Sequence, residues 1–254
     1  MRPAMNTAIF IWNRKRNQIS LSARVCLLFL NFFFFFSLSA FSQVFQRGVN
    51  LDEFGRLVRS ANARESSANG LTYSNIAGTP FLLSEFTKGT VMMPDSSVYQ
   101  DVLLRYDIYA DRMEFSDQNG QIREILEPGK YGRFVIKDQA FRYVSYTEAN
   151  KTSQSFMEIL ADGKITLYKK IRVQFQEATE AGGYKDAEPP KFVQLSPDLY
   201  LSVNGNPAER IKNQKQTLSV LAGENPAIDA FVKKEKLNLN KEEELIQAVQ
   251  FCNR

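Results

Sequence analysis

The chain contains no histidine, and its only tryptophan, Trp12, falls in the N-terminal stretch read below as a leader. Without an imidazole, neither a Ser-His-Asp nor a Cys-His nucleophile can be built, nor a His-Glu-x-x-His zinc hydrolase, nor a His-ligated metal or haem. Cysteine is almost as scarce. Cys26 lies in the same leader, so the mature chain keeps Cys252 alone and has no intramolecular disulfide to form. A protein built this way for an oxidising compartment relies on its core. Also missing are Gly-x-Gly-x-x-Gly, Gly-x-x-x-x-Gly-Lys-[Ser/Thr], Gly-x-Ser-x-Gly, Cys-x-x-Cys and Ser-x-x-Lys, the common routes to phosphates, nicotinamide cofactors and acyl-enzymes. No catalytic, cofactor-binding or metal-ligating residue is nominated, and no cofactor is expected.

The N-terminus carries an address. Basic residues Arg14, Lys15, Arg16 and Arg24 precede an apolar run from Val25 to Phe36, followed by small residues at Ala40 and Ser42 that suit signal-peptidase cleavage. Residues 1–42 read as a signal peptide, with Gln43 first in the mature chain. The charge in front of Cys26 fits a lipobox poorly. Removing the leader also removes five basic residues (Arg2, Arg14, Lys15, Arg16, Arg24) and no acid, leaving 32 − 5 = 27 basic against 28 acidic residues, a formal charge of −1. That balance argues against nucleic-acid or anionic-membrane binding. The expected location is periplasmic or secreted, with no stable membrane insertion after cleavage.

Residues 43–78 read as an N-terminal helix over 49–63 followed by a Ser/Asn/Gly-rich flexible connection. From 79 to 180 the apolar period becomes two and the segments are rich in β-branched and aromatic residues, an antiparallel β core. Strands are expected over 89–93, 98–109, 112–116, 121–126, 132–137, 140–147, 156–161 and 165–175. Their short links imply antiparallel pairing in a meander, with curling into a partly open barrel as a variant. In 165–175, Ile165, Leu167, Ile171, Val173 and Phe175 share an apolar face that Lys169 interrupts; Thr166, Tyr168, Lys170, Arg172 and Gln174 form the polar one. Asp162-Gly163 suits a two-residue turn before it. Residues 181–213 read as a Gly/Pro-rich loop and a hairpin turned at Asn204-Gly205. Residues 214–254 read as a helical cap, with Asn225-Pro226 starting one helix and a capping box at Asn240 to Glu243 another. The fold class is therefore α+β.

The stretches Gly78-Thr-Pro-Phe81, Gly89-Thr-Val91, the run from Val98 to Tyr109, and Met113-Glu-Phe115 resemble uncharacterised secreted proteins of Bacteroidota type. The leader ending Ala40-Phe-Ser-Gln43 and the segments from Ile228 and Glu242 are similar to that group too. The resemblance implies a periplasmic setting and transfers no functional residue.

Two chemistries survive. Glycosidases need only a pair of carboxylates, and Asp101, Asp107, Asp111, Glu114 and Glu124 crowd the central strands. The ordinary reading is a solvated face with cross-strand ion pairs. Asp117-Gln-Asn-Gly120 begins like a calcium loop but lacks the rest of that pattern, and reads as a hairpin turn. Tyrosines at 99, 106, 109, 143, 146 and 168 offer apolar area with a hydroxyl, suited to interfaces or ligand pockets and equally to strand packing. The favoured function is an exported, non-enzymatic binding or envelope-associated protein whose partner is a protein, a glycan or an apolar ligand. The alternatives are a carboxylate-dependent glycan hydrolase and a lipid-like ligand carrier.

Overall fold

The structure, a computed structural model, describes residues 54–56, 58–63, 67–182 and 186–254; the expected leader lies outside them. Thirteen strands are described: β1 (Ser60–Asn62), β2 (Ser67–Ala68), β3 (Leu71–Thr72), β4 (Thr87–Met92), β5 (Val98–Asp107), β6 (Arg112–Ser116), β7 (Ile122–Ile125), β8 (Arg133–Ile136), β9 (Gln139–Glu148), β10 (Lys151–Ala161), β11 (Ile165–Gln176), β12 (Lys191–Val203) and β13 (Ala208–Arg210). Helices α1 (Gln214–Glu224), α2 (Ile228–Glu235) and α3 (Glu242–Cys252) follow. The protein is a β-rich α+β fold.

Eleven strands form one sheet in the order β1-β7-β6-β5-β4-β8-β9-β10-β11-β12-β13, while β2 and β3 pair separately. Its pairings are antiparallel except for a short parallel contact of β13 with β9, Ala208 opposite Tyr146. The strand order corrects the meander expectation, because β8 follows β7 in sequence but pairs with β4. Four strand spacings, about 19 Å, separate those positions, a distance that residues 126–132 can span. The sheet as a whole is not a closed barrel. At its C-terminal end β13 touches both β12 and β9, and one cluster takes a residue from each strand of that turn: Tyr146, Met157, Tyr168, Tyr200 and Ala208.

The main core lies on β4 to β9, where Phe54, Leu104, Met113, Phe134 and Phe141 are fully buried. Gly89 is required there. A Cβ at that position would stand 2.4 Å from the Val135 carbonyl oxygen on β8 and 2.8 Å from the Leu104 side chain. A second core joins Ile165, Leu167 and Leu201 of the sheet to Leu221, Ile228, Leu245 and Val249 of the helices. The helices thereby cover one face of β10 to β12. Lys169, the break in the apolar face, meets Glu242 at the start of α3 at 2.8 Å and Glu158 at 3.9 Å. Thr166 and Tyr168 are buried as well, so both sides of this half of β11 are covered rather than one.

Local expectations differ in five places. The helix expected over 49–63 has helical backbone at residues 54–56, and by residue 60 the chain is already strand β1, paired with β7. In the stretch read as a flexible connection, Ala68 and Ile76 are buried against Phe192. The link between β10 and β11 is not a two-residue turn. The nearest pair is Ala161 opposite Leu167, and Gly163 is packed against the Asn253 side chain, 2.6 Å from where a Cβ would sit. Asn240 does not cap α3, whose preceding residue Lys241 supplies no side-chain cap; Glu242, Glu243 and Glu244 instead place negative charge in the first turn. At α2, Asn225 accepts from the Ala227 N–H at 3.1 Å but does not cap the helix, which begins at Ile228 after Ala227, leaving Pro226 outside its first turn.

Candidate functional site

An open groove of about 670 Å³ lies where β10 and β11 diverge, bounded by the β5–β6 loop and reached by Asn69 of the β2–β3 turn. Its polar centre is Asp111, held in left-handed backbone with φ 51° in that loop. The Asp111 carboxylate accepts from the Tyr106 hydroxyl at 2.8 Å and from the Phe156 N–H of β10 at 3.2 Å. Burial pushes its carboxyl up, against the lowering effect of those hydrogen bonds, of the neighbouring Ser155 hydroxyl and of the Lys170 charge. Lys170 of β11 donates to the Tyr146 hydroxyl at 2.6 Å, with its ammonium 3.9 Å from the centre of that ring. Ile108, Tyr109 and Phe175 add apolar wall.

The five acids of the sequence reading separate. Asp107 and Glu114 are buried, at 0% and 1% exposure, and come together through Arg112, which lies 3.0 Å from Asp107 and 3.6 Å from Glu114. Arg105 binds Glu114 at 2.8 Å from the adjacent strand while its guanidinium stacks on Phe81 and Phe86. Glu124 stands at the rim, 3.8 Å from Arg112. The cross-strand ion pairs are present, but the face is not solvated. Asp107 also accepts from the Tyr73 hydroxyl at 3.4 Å, and burial, with the Asp107 charge next, raises that phenol well above its usual range. Asp101 is elsewhere, exposed at a register shift in β5 and 3.4 Å from Lys88. Asp111 is therefore the one carboxylate of the five that lines the groove. Asp117 uses its oxygens within the hairpin, accepting from the Asn119 and Gln121 N–H groups at 2.9 Å and from Arg123 at 3.1 Å.

The tyrosines divide in the same way. Tyr106, Tyr109 and Tyr146 line the groove. Tyr143 packs on Phe156 behind it at 4.9 Å, Tyr99 packs on Phe54 at 5.3 Å, and Tyr168 is buried with its hydroxyl on Arg142 at 3.1 Å. The residues that sequence reasoning missed are Lys170, Ser155 and Gln154. Alternation placed Lys170 on the polar face of its strand, but nothing local showed that β10 and β11 would part beside it.

A smaller pocket of about 280 Å³ lies between β12, β13 and α1, with Leu201, Ile211 and Val220 in its wall. Among the described residues no helix is long and apolar enough to cross a membrane. No protein family, no curated protein and no solved structure matches this chain.

Proposed function

We propose that the chain is an exported, non-enzymatic binding protein of the cell envelope that holds its ligand in the groove between β10 and β11. The observation that carries this reading is the composition of the groove. Aromatic and aliphatic side chains share the walls with polar ones, Asp111, Lys170, Gln154 and Gln174 among them, and with the hydroxyls of Tyr106 and Tyr146, an arrangement suited to holding and orienting a ligand. Of the five acids weighed from the sequence, the groove holds one, which leaves the two-carboxylate hydrolysis geometry without its second partner there. The cluster under β13 is filled by Tyr146, Met157, Tyr168 and Tyr200, which supports an open groove rather than an enclosed lipid cavity. Export rests on the leader pattern and on the resemblance to secreted Bacteroidota proteins, which favour the periplasm.

Two measurements test the reading. Intact mass of protein from the periplasmic fraction is expected to give a chain starting at Gln43, and a full-length membrane-bound product would overturn export. Amide and methyl NMR shifts of the mature chain, titrated separately with maltohexaose, palmitate and a pool of random linear peptides, are expected to move at Lys170, Tyr146 and Ile108 with one of them. Shifts confined to other surfaces, or none with any of the three, would overturn the groove as the binding site.

A further inference from the structure

The groove is bounded by two unpaired strand edges. β10 pairs with β11 only at Glu158 with Lys169, Ile159 with Tyr168 and Ala161 with Leu167, although β10 starts at Lys151 and β11 runs on to Gln176. Along residues 170–176, β11 pairs with β12 alone; along 151–157, β10 pairs with β9 alone. Consecutive residues 170–175 all line the groove. A single side-chain face would contribute only every second residue, so this wall is the backbone edge of the strand.

The direction of that edge can be read from both ends of β11. Ile165 donates its N–H to the Asn253 side chain and accepts from it at its C=O, away from β12. Phe192, opposite Phe175, gives its N–H to the Ala77 carbonyl, away from β11. The register shift near Lys170 places its extra residue on β12, at Ser196 and Pro197, and leaves the alternation of β11 unbroken. Both ends therefore turn the N–H and C=O groups of Ile171, Val173 and Phe175 to the open side. On β10, Phe156 faces the same gap, and side chains substitute for the missing strand: its N–H goes to Asp111 and its C=O receives the Ser155 hydroxyl at 3.3 Å. Gln154 and Thr152 continue that edge. Among the described residues, no backbone partner meets Ile171, Val173 or Phe175 on the open side.

We propose that this groove binds an extended, acidic peptide segment of a partner protein, which adds to the open edge of β11 as a further strand. The inference rests on the reading of the groove as a binding site and specifies its ligand. Backbone pairing to Ile171, Val173 and Phe175 supplies affinity, as in other cases of strand addition, and the flanking side chains select sequence. The acidic character follows from charge. Lys170 meets the Tyr146 hydroxyl and ring and has no carboxylate within salt-bridge distance among the described residues. A partner carboxylate beside Lys170 completes the site.

The test is selection of phage-displayed random peptides on the mature chain, with affinities of the synthesised winners read by fluorescence polarisation. Winners are expected to be rich in Asp and Glu and to bind more weakly as salt rises. N-methylation of the alternate peptide amides that face β11 is expected to cost about tenfold or more in affinity, as loss of hydrogen bonds would. Val173→Pro removes an edge N–H without breaking the β11–β12 ladder and is expected to lower affinity similarly with the fold retained, at some loss of thermal midpoint because Val173 packs beside two of the cores. If that variant does not fold, the N-methyl series on the unaltered protein decides alone. Winners that shift Lys170 and Tyr146 in NMR yet ignore N-methylation would overturn strand pairing while leaving the binding reading intact. A library that yields no groove-binding peptide would overturn the proposal, with the maltohexaose and palmitate titrations deciding the broader reading separately. Peptide-sensitive self-association by light scattering would assign the edge to a second copy and overturn the foreign partner.

Discussion

The side-chain amide of Asn253 mimics a strand against Ile165, accepting the Ile165 N–H at 2.9 Å and donating to the Ile165 C=O at 2.7 Å. The second residue from the C-terminus thus satisfies both backbone groups of a fully buried position. Asn253→Ala leaves them unpaired, and an unsatisfied buried group costs about 1–3 kcal/mol. Urea denaturation is expected to show a loss of that order, with Asn253→Asp intermediate or worse because the donor is gone. A variant within a few tenths of the parent would mean that water replaces the amide without penalty.

Gly163 and Asn253 form a coupled pair. A Cβ at Gly163 would stand 2.6 Å from the Asn253 side chain, so Gly163→Ala displaces the amide from Ile165. The cost of Gly163→Ala is expected to shrink in an Asn253→Ala background, giving a coupling of about 0.5–3 kcal/mol in a double-mutant cycle. Strict additivity would show that the glycine is needed for its own backbone conformation alone.

Thr166→Val and Leu167→Ala separate polar from apolar burial on adjacent residues of β11. Thr166 is buried, with its hydroxyl on the Gly163 carbonyl at 3.2 Å, so a loss of about 1 kcal/mol is expected although the strand alternation places it on the polar face. Leu167, fully buried under the helices, is expected to cost about 2–5 kcal/mol. Chemical denaturation ranks the two, and a neutral Leu167→Ala would contradict the packing of the helices on that face.

Asp111 makes a pH-dependent contribution. Its carboxyl is raised above the ordinary 3.8, so the folded chain holds this proton more tightly than the unfolded chain does. That contribution is complete below the ordinary carboxyl range and is lost as pH rises through the raised value. Asp111→Asn keeps an acceptor for Tyr106 and Phe156 and removes the titration. Urea midpoints taken from about pH 4 to about pH 7 are expected to move in favour of the variant as pH rises. A difference that runs the other way would mean that the charged form is the one the site prefers.

Arg112 carries the buried ion-pair network. Arg112→Met leaves Asp107 in the core without its cation, while Glu114 keeps Arg105, and is expected to cost about 3–5 kcal/mol, whereas Glu124→Gln at the rim should cost less than about 1 kcal/mol. Equal effects in denaturant would show that solvent reaches the network freely.

Much of the secondary structure is legible in the chain because it is a local property. Alternation marks β6 at residues 112–116, the positive φ of Asn204 and Gly205 fits the turn expected there between β12 and β13, and most short links join antiparallel neighbours, the β7–β8 link being an exception. The absence of histidine likewise excludes whole classes of chemistry without any structure. What the tertiary structure decided is everything that depends on elements distant in sequence: that β8 docks on β4, that Asp107 and Glu114 are buried with their arginines, that Lys169 finds Glu242, and that Asn253 rather than a tight turn closes the β10–β11 link. The groove belongs to this second group. β11 runs past its last shared pair, Glu158 with Lys169, with Ile171, Val173 and Phe175 still alternating with polar residues, so nothing in that strand marks the point where pairing stops; on β10 the Phe156 N–H goes instead to Asp111 of the β5–β6 loop, a partner distant in sequence.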